Sequence, residues 1–132
     1  MLKKLLFISL FWATLILLLC FIPGNALPKT PAIPYLDKFI HLGLYFILSV
    51  FLIPVFDFSH HKYISKAAPF IIILITCFYG GIIEIAQEKW FINRSGDIVD
   101  FYSDLAGGLL AIIVYYILVK RIFIRWKGIR KG

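Results

Sequence analysis

The chain carries short rows of polar residues at helical spacing. They are Asp37, His41 and Tyr45 (i, i+4, i+8), Glu84 and Gln87 (i, i+3), and Asp97, Asp100 and Asp104 (i, i+3, i+7). Residues three or four apart lie on one face of a helix, so each row presents its side chains in one direction. Carboxylates beside an imidazole exchange protons, bind cations or accept hydrogen bonds from a polar headgroup. If the three rows meet, they form one polar site.

The polar rows predict a binding cluster that also takes in the nearest basic residues. Its predicted members are Asp37, Lys38, His41, Tyr45, Glu84, Gln87, Arg94, Asp100 and Asp104. Acids within a membrane are costly and usually paired, which makes Lys38, His41 and Arg94 their expected partners. His41 and Glu84 are the candidates for a general base. Asp100 and Asp104 are the candidates for Mg²⁺ or Ca²⁺ ligands, because hard cations prefer carboxylate oxygens.

Each of these residues also has a purely structural interpretation. Asp97 and Asp100 precede or begin an apolar run, where acids cap a helix and favour its dipole. Glu84 paired with Arg94 would be a structural clip, and His41 would be a hydrogen-bonded core residue. His60 and His61, a pair without nearby acids, are expected in a solvent-exposed loop.

The elements that must position these side chains are apolar. The chain is 61% hydrophobic with a mean hydropathy of +0.92, more apolar surface than a soluble domain of this size can bury. Four runs are near the length that crosses a bilayer, about 17–25 residues. They predict an all-α membrane protein, a single domain over 1–132, with helices at about 5–22, 39–56, 67–86 and 101–119 and a basic tail over 120–132.

Lysine and arginine predict the orientation of this bundle. Four spans place both termini on one side, and that side carries ten of the fourteen basic residues. The positive-inside rule therefore predicts a multi-pass protein with cytoplasmic termini. Six of the seven acids, all except Asp57, then lie at the external ends of the spans.

The segment Met1 to Ala26 has two interpretations. Lys3 and Lys4 followed by an apolar run and small residues resemble a cleaved signal peptide. The apolar run, from Leu5 to Ile22, is longer than the roughly 7–15 residues of a usual signal core, which favours a retained helix.

The acid-bearing face of the fourth span continues into small residues. Gly107, Gly108 and Ala111 follow Asp104, and Gly107-x-x-x-Ala111 is a spacing that lets membrane helices approach closely. This face is therefore expected to point toward the other helices.

These residues together resemble the VanZ-like family of small membrane proteins. The resemblance lies in Asp37-Lys38-x-x-His41-x-x-x-Tyr45, then Glu84-x-x-Gln87 and Arg94, then Asp100-x-x-x-Asp104-x-x-Gly107. The family often has Asn at the position of Asp104 and Pro-Gly before the arginine, where this chain has Ile92-Asn93. The resemblance implies a cell-envelope protein of a bacterial cytoplasmic membrane and a link to teicoplanin susceptibility, without implying a reaction.

Three functions stay open from the sequence. The first is an envelope factor that binds a lipid-linked or cell-wall component, with Lys38 and Arg94 holding phosphate. The second is a membrane-embedded enzyme acting on such a lipid, and the third is a structural partner of a membrane protein complex. Membrane lipids are expected partners and nucleic acid is not, since orientation already accounts for the basic tail. A transporter is disfavoured because no ionisable residue marks a path across the middle.

Overall fold

A computed structural model describes residues 2–22, 34–57, 67–90 and 97–119 of the chain. Its α-helices are α1 (Leu2–Cys20), α2 (Leu36–Asp57), α3 (Ala67–Trp90) and α4 (Ile98–Val114), and the last continues as a π-helical turn over Tyr115–Val119. All four are long and apolar enough to cross a membrane. The prediction of an all-α protein with four membrane-spanning helices is therefore confirmed.

The helices extend beyond the apolar runs that predicted them. Helix α2 begins at Leu36 rather than 39, and α3 continues to Trp90 rather than ending at 86. Helix α4 begins at Ile98 rather than 101, whereas α1 ends at Cys20, before the predicted 22. Hydropathy predicts only the part of a helix that lies in hydrocarbon, whereas the backbone hydrogen bonds of the helix continue into the polar residues at its ends. The polar rows consequently stand on helical turns, at defined angles.

Helix α2 lies at the centre of the bundle and contacts each of the other three helices, most closely α4. Gly107 makes this close approach possible. A Cβ atom at Gly107 would collide with the backbone carbonyl oxygen of Leu42 and lie 3.0 Å from the nitrogen of Phe46. Gly108 and Ala111 are also buried, which confirms that the small-residue face of α4 points inward.

Helix α1 is attached to the bundle through hydrogen bonds to backbone carbonyls. The indole of Trp12 donates to the carbonyl of Leu44 at 2.9 Å, and the hydroxyl of Tyr79 donates to the carbonyl of Ala13 at 2.5 Å. Apolar packing in lipid gains little from the hydrophobic effect, so such polar contacts contribute to helix association.

The described part of the chain has large apolar side chains on its outside and polar ones within. Phe7, Phe39 and Phe78 are each about two-thirds exposed, whereas Ser49 and Thr76 are completely buried. This distribution suits a bundle surrounded by lipid, where outward apolar surface costs nothing.

Asp57 lies at the end of the bundle opposite the other acids. It is the last residue of α2, it is buried, and it accepts a hydrogen bond from the hydroxyl of Tyr115 at 3.2 Å. Helix α2 therefore extends one residue beyond the predicted end at 56, and Asp57 contacts the π-helical turn that continues α4.

Candidate functional site

The acids other than Asp57 cluster at one end of the bundle, called here the acidic end. The N-terminal turns of α2 and α4 and the C-terminal turns of α3 meet there, because successive helices run in opposite directions. Five of the six described carboxylates of this end, all except Glu88, form two groups that share no residue.

The first group, called here the Lys38 group, consists of Lys38 with Asp37, Asp97 and Asp100. The lysine Nζ lies 2.6 Å from an oxygen of Asp37, 2.6 Å from one of Asp97 and 2.9 Å from one of Asp100. The ammonium donates hydrogen bonds to Asp37 and Asp97 and forms an ion pair with Asp100. The Lys38 group therefore carries a net charge of about −2 and already holds a cation at its centre.

Asp97 belongs to this group because of how α4 begins. It is the N-cap residue, with extended backbone (φ −118°, ψ 114°), and its side chain accepts a hydrogen bond from the nitrogen of Val99 at 2.8 Å. The expectation that Asp97 caps the fourth helix is confirmed. The hydrogen bond from Lys38, together with that from Val99, lowers the pKa of the Asp97 carboxyl below its ordinary value.

The second group, called here the His41 group, consists of His41, Glu84 and Asp104. Each comes from a different helix, and one potential ligand atom from each lies within 4.8 Å of the others. Nδ1 of His41 lies 3.0 Å from Oδ1 of Asp104. Oε2 of Glu84 accepts a hydrogen bond from the backbone nitrogen of Asp97 at 2.9 Å. Asp104 is completely buried, and His41 and Glu84 are only 7% and 8% exposed.

Gly80 provides the space for Asp104. A Cβ atom at Gly80 would lie 2.7 Å from Oδ2 of Asp104, so the carboxylate occupies the volume that any other residue would fill. Glu84 follows Gly80 by one helical turn on the same face of α3. The absence of a side chain at Gly80 thus allows α4 to bring its acid beside Glu84.

An open groove of about 350 Å³ runs beside the two groups between α3 and α4. Its polar lining is Glu84, Glu88 and Asp97, and its apolar lining is Gly81, Ile85, Ile98 and Phe101. Ile85 and Ile98 are more than half exposed and face the surroundings of the bundle. A molecule in this groove would contact carboxylates and apolar side chains at once.

No protein-family model, curated protein or solved structure matches the chain.

The two groups together are anionic. Their five carboxylates are accompanied by one ammonium, that of Lys38, and one imidazole, that of His41. Low-dielectric surroundings strengthen this imbalance and favour cations, amines and hydroxyl donors over anions as ligands.

The structure distributes the remaining predicted site residues differently. Gln87 donates a hydrogen bond from Nε2 to the carbonyl of Cys20 at 2.9 Å. It therefore pairs one of the carbonyl groups at the C-terminus of α1, which lack a partner within the helix, and joins neither group. Tyr45 is completely buried one turn from His41, where its side chain interacts with Asp104 and its ring centroid lies 6.0 Å from that of Tyr79. Asp100 and Asp104, the predicted Mg²⁺ or Ca²⁺ ligands, are divided between the two groups. Arg94, His60 and His61 lie outside the described residues.

Two residues of the acidic end were absent from the predicted binding cluster. Asp97 was placed in a polar row and also interpreted as a helix cap, and its second carboxylate oxygen accepts a hydrogen bond from Lys38. Glu88, one turn after Glu84, lines the groove. The i, i+4 spacing of Glu84 and Glu88 was the available signal, since it places both acids on one side of α3.

Proposed function

We propose that the chain is a VanZ-like protein of a bacterial cytoplasmic membrane that binds an envelope component at the outer leaflet. The observation that carries this proposal is the groove between α3 and α4, where Glu84, Glu88 and Asp97 meet the exposed apolar side chains of Ile85 and Ile98. An amphipathic lipid fits such a lining, with its chains on the apolar wall and its headgroup among the carboxylates.

The charges of the groove favour a headgroup that offers amines or hydroxyls. Lys38 forms an ion pair with Asp97 of the groove, but its ammonium is already shared among three carboxylates. A phosphate would have to displace one of them, and the remaining acids would repel it. Binding of a phosphate by Lys38 and Arg94 is the alternative to binding through the acids. Native mass spectrometry of an Arg94→Ala variant distinguishes the two.

The resemblance to VanZ-like proteins suggests what binding would do in the cell. A factor that occupies an envelope component at the outer leaflet would alter susceptibility to a glycopeptide such as teicoplanin, without a reaction of its own. This part of the proposal is tested by comparing the teicoplanin susceptibility of cells that produce the wild-type chain with that of cells that produce groove variants.

A second candidate function is catalysis on the bound lipid. Nδ1 of His41 contacts Asp104 at 3.0 Å, an arrangement that orients an imidazole as a general base, and Glu84 of the same group lines the groove. Turnover of an envelope lipid that disappears in His41→Gln would support this function.

The test of the binding proposal is native mass spectrometry of the detergent-purified protein with bacterial envelope lipids. The double variant Glu88→Gln, Asp97→Asn removes two groove charges while keeping side-chain size, and Asn still caps α4. Asp57→Asn is the matched control, since it removes a buried acid at the other end of the bundle.

We expect the wild type and Asp57→Asn to retain the same lipid, and the double variant to bind it about 10–100-fold more weakly, because a hydrogen bond to a charged group contributes about 1.5–3 kcal/mol. Equal retention by all three proteins, or by none, would refute binding through the groove acids. Loss in Arg94→Ala alone would instead assign the headgroup contact to a phosphate.

A further inference from the structure

The His41 group has the composition and burial of a metal site, and we propose that it holds one divalent transition-metal ion of the Zn²⁺ or Mn²⁺ class. This inference does not depend on the lipid proposal. It concerns His41 of α2, Glu84 of α3 and Asp104 of α4.

The positions of the donor atoms support the proposal. One atom from each of the three side chains lies within 4.8 Å of the other two. Ligand atoms bound to one ion at about 2.0–2.2 Å are separated by about 3–4 Å, so small side-chain movements would bring the three atoms onto a common centre. The contact of 3.0 Å between Nδ1 of His41 and Oδ1 of Asp104 already places imidazole and carboxylate side by side.

The unused oxygens of the group point to a ligand that the protein itself does not supply. Oε1 of Glu84 and Oδ2 of Asp104 are buried and accept no well-formed hydrogen bond from the described residues, although the side chain of Tyr45 lies close enough to interact with Asp104. Asp104 is 0% exposed and Glu84 is 8% exposed, so both carboxylates are largely withdrawn from water. A buried carboxylate oxygen without a partner costs free energy that a bound cation would remove.

The other acidic group differs because it contains its own cation, although Oδ1 of Asp100 is also buried without a hydrogen-bond partner among the described residues. Asp37, Asp97 and Asp100 also form a potential ligand set, but the ammonium of Lys38 lies 2.6–2.9 Å from all three. Among the described residues no lysine or arginine forms an ion pair with the His41 group. Its two carboxylates match the charge of a divalent ion.

The ligand types select the class of metal. An imidazole with two carboxylates suits Zn²⁺, Mn²⁺ or Fe²⁺, whereas Mg²⁺ and Ca²⁺ prefer ligand sets made only of oxygen. Glu84 is further held by the backbone nitrogen of Asp97, the kind of outer contact that orients a metal-binding carboxylate. Three protein ligands leave a coordination position open, as in catalytic zinc sites. Because Glu84 also lines the groove, a groove ligand would have access to that position.

The experiment measures Zn²⁺ binding to the full chain, purified in detergent through a tag without histidines and stripped with a chelator. All proteins carry His60→Gln and His61→Gln, so that this histidine pair contributes no binding. Titration calorimetry and elemental analysis then give the affinity and the stoichiometry. The test variants are His41→Gln and Asp104→Asn, and the matched controls are Asp100→Asn of the Lys38 group and Glu88→Gln of the groove.

We expect about one Zn²⁺ per chain in the parent protein and in both controls. Loss of one ligand should weaken binding by more than about 100-fold, since loss of an outer partner alone weakens it about 10–100-fold. Circular dichroism establishes whether each variant retains its helices. If neither test variant folds, X-ray absorption of the Zn²⁺-loaded parent protein decides, because it identifies an imidazole ligand directly.

The proposal is overturned by any of three results. These are no stoichiometric Zn²⁺ in the parent protein, unchanged affinity in folded Asp104→Asn, and a coordination shell made of oxygen alone. Loss of lipid binding without loss of Zn²⁺ would leave this inference standing, and the reverse result would leave the lipid proposal standing.

Discussion

The Lys38 group and the His41 group lie at the same end of the bundle and are both rich in carboxylates, yet they are satisfied in different ways. The Lys38 group is partly exposed and contains its own cation. The His41 group is buried and has two carboxylate oxygens that accept no well-formed hydrogen bond from the described residues. Both groups join α2 to α4, but the long side chain of Lys38 reaches its acids over a greater distance, whereas the shorter His41 and Asp104 require the two helices to approach closely. The contact between His41 and Asp104 thus depends on how α2 packs against α4.

The largest effect is expected where this dependence is greatest, at Gly107. In Gly107→Ala the new Cβ atom would meet the backbone of Leu42 and Phe46, which cannot rotate away. Overpacking of this kind costs typically about 1–3 kcal/mol, and we expect the upper part of that range. Thermal unfolding in detergent, followed by circular dichroism, measures the loss. Gly43→Ala is the control, because no atom lies within 4 Å of its new Cβ atom. Equal stability of the two variants would contradict the close-contact explanation.

A smaller effect is expected at Gly80, where the new Cβ atom meets a side chain. Gly80→Ala would place it 2.7 Å from Oδ2 of Asp104, so the carboxylate must shift. We expect a loss of about 1–2 kcal/mol in the free energy of unfolding and weaker Zn²⁺ binding. The neighbouring variant Gly81→Ala has only an ordinary contact of 3.6 Å with Phe101 and should change neither quantity. If the two adjacent variants behave alike, Gly80 is not what makes room for Asp104.

Removal of the Lys38 ammonium should give the Lys38 group carboxylates without a cation, as the His41 group already has. In Lys38→Met, Asp37, Asp97 and Asp100 lose the ammonium that they share, and their oxygens become available for Ca²⁺. We expect Ca²⁺ at about ten times its dissociation constant to stabilise this variant by about 1.4 kcal/mol and to leave the wild type unchanged. The melting temperature at increasing Ca²⁺ concentration measures this difference, with Lys89→Met as the control. A wild-type response as large as that of the variant would show that Lys38 does not occupy the site.

The smallest effect is the pH dependence of the Lys38 group. Because the folded state lowers the pKa of Asp97 below its ordinary 3.8, its contribution to stability is complete above that pH and is lost as acid protonates the folded carboxylate. Unfolding measured between pH 7 and the acid limit should therefore be slightly less pH-dependent in Asp97→Asn than in the wild type. The effect should be small, because the side chain is exposed to solvent. Identical slopes would indicate that Lys38 does not bind ionised Asp97 in solution.

The sequence alone predicted the four helices and the collection of acids at one end of the bundle. Transfer into lipid is a sum over about 20 neighbouring residues, so the spans follow from local composition. The spacing of Asp97, Asp100 and Asp104 likewise predicts that they share a face of α4. The inward direction of that face followed from Gly107 and Ala111, since small residues at this spacing mark helix contacts.

Only the tertiary structure decided how these acids are paired. Lys38 was expected to hold phosphate and is enclosed by three carboxylates, Gln87 was expected at the site and binds α1, and Asp104 joins His41 rather than Asp100. Such pairings depend on the rotation and separation of whole helices, which backbone contacts such as that of Gly107 determine. A shift of a few ångströms between helices changes which oxygens meet a cation, and no local pattern of residues encodes that distance.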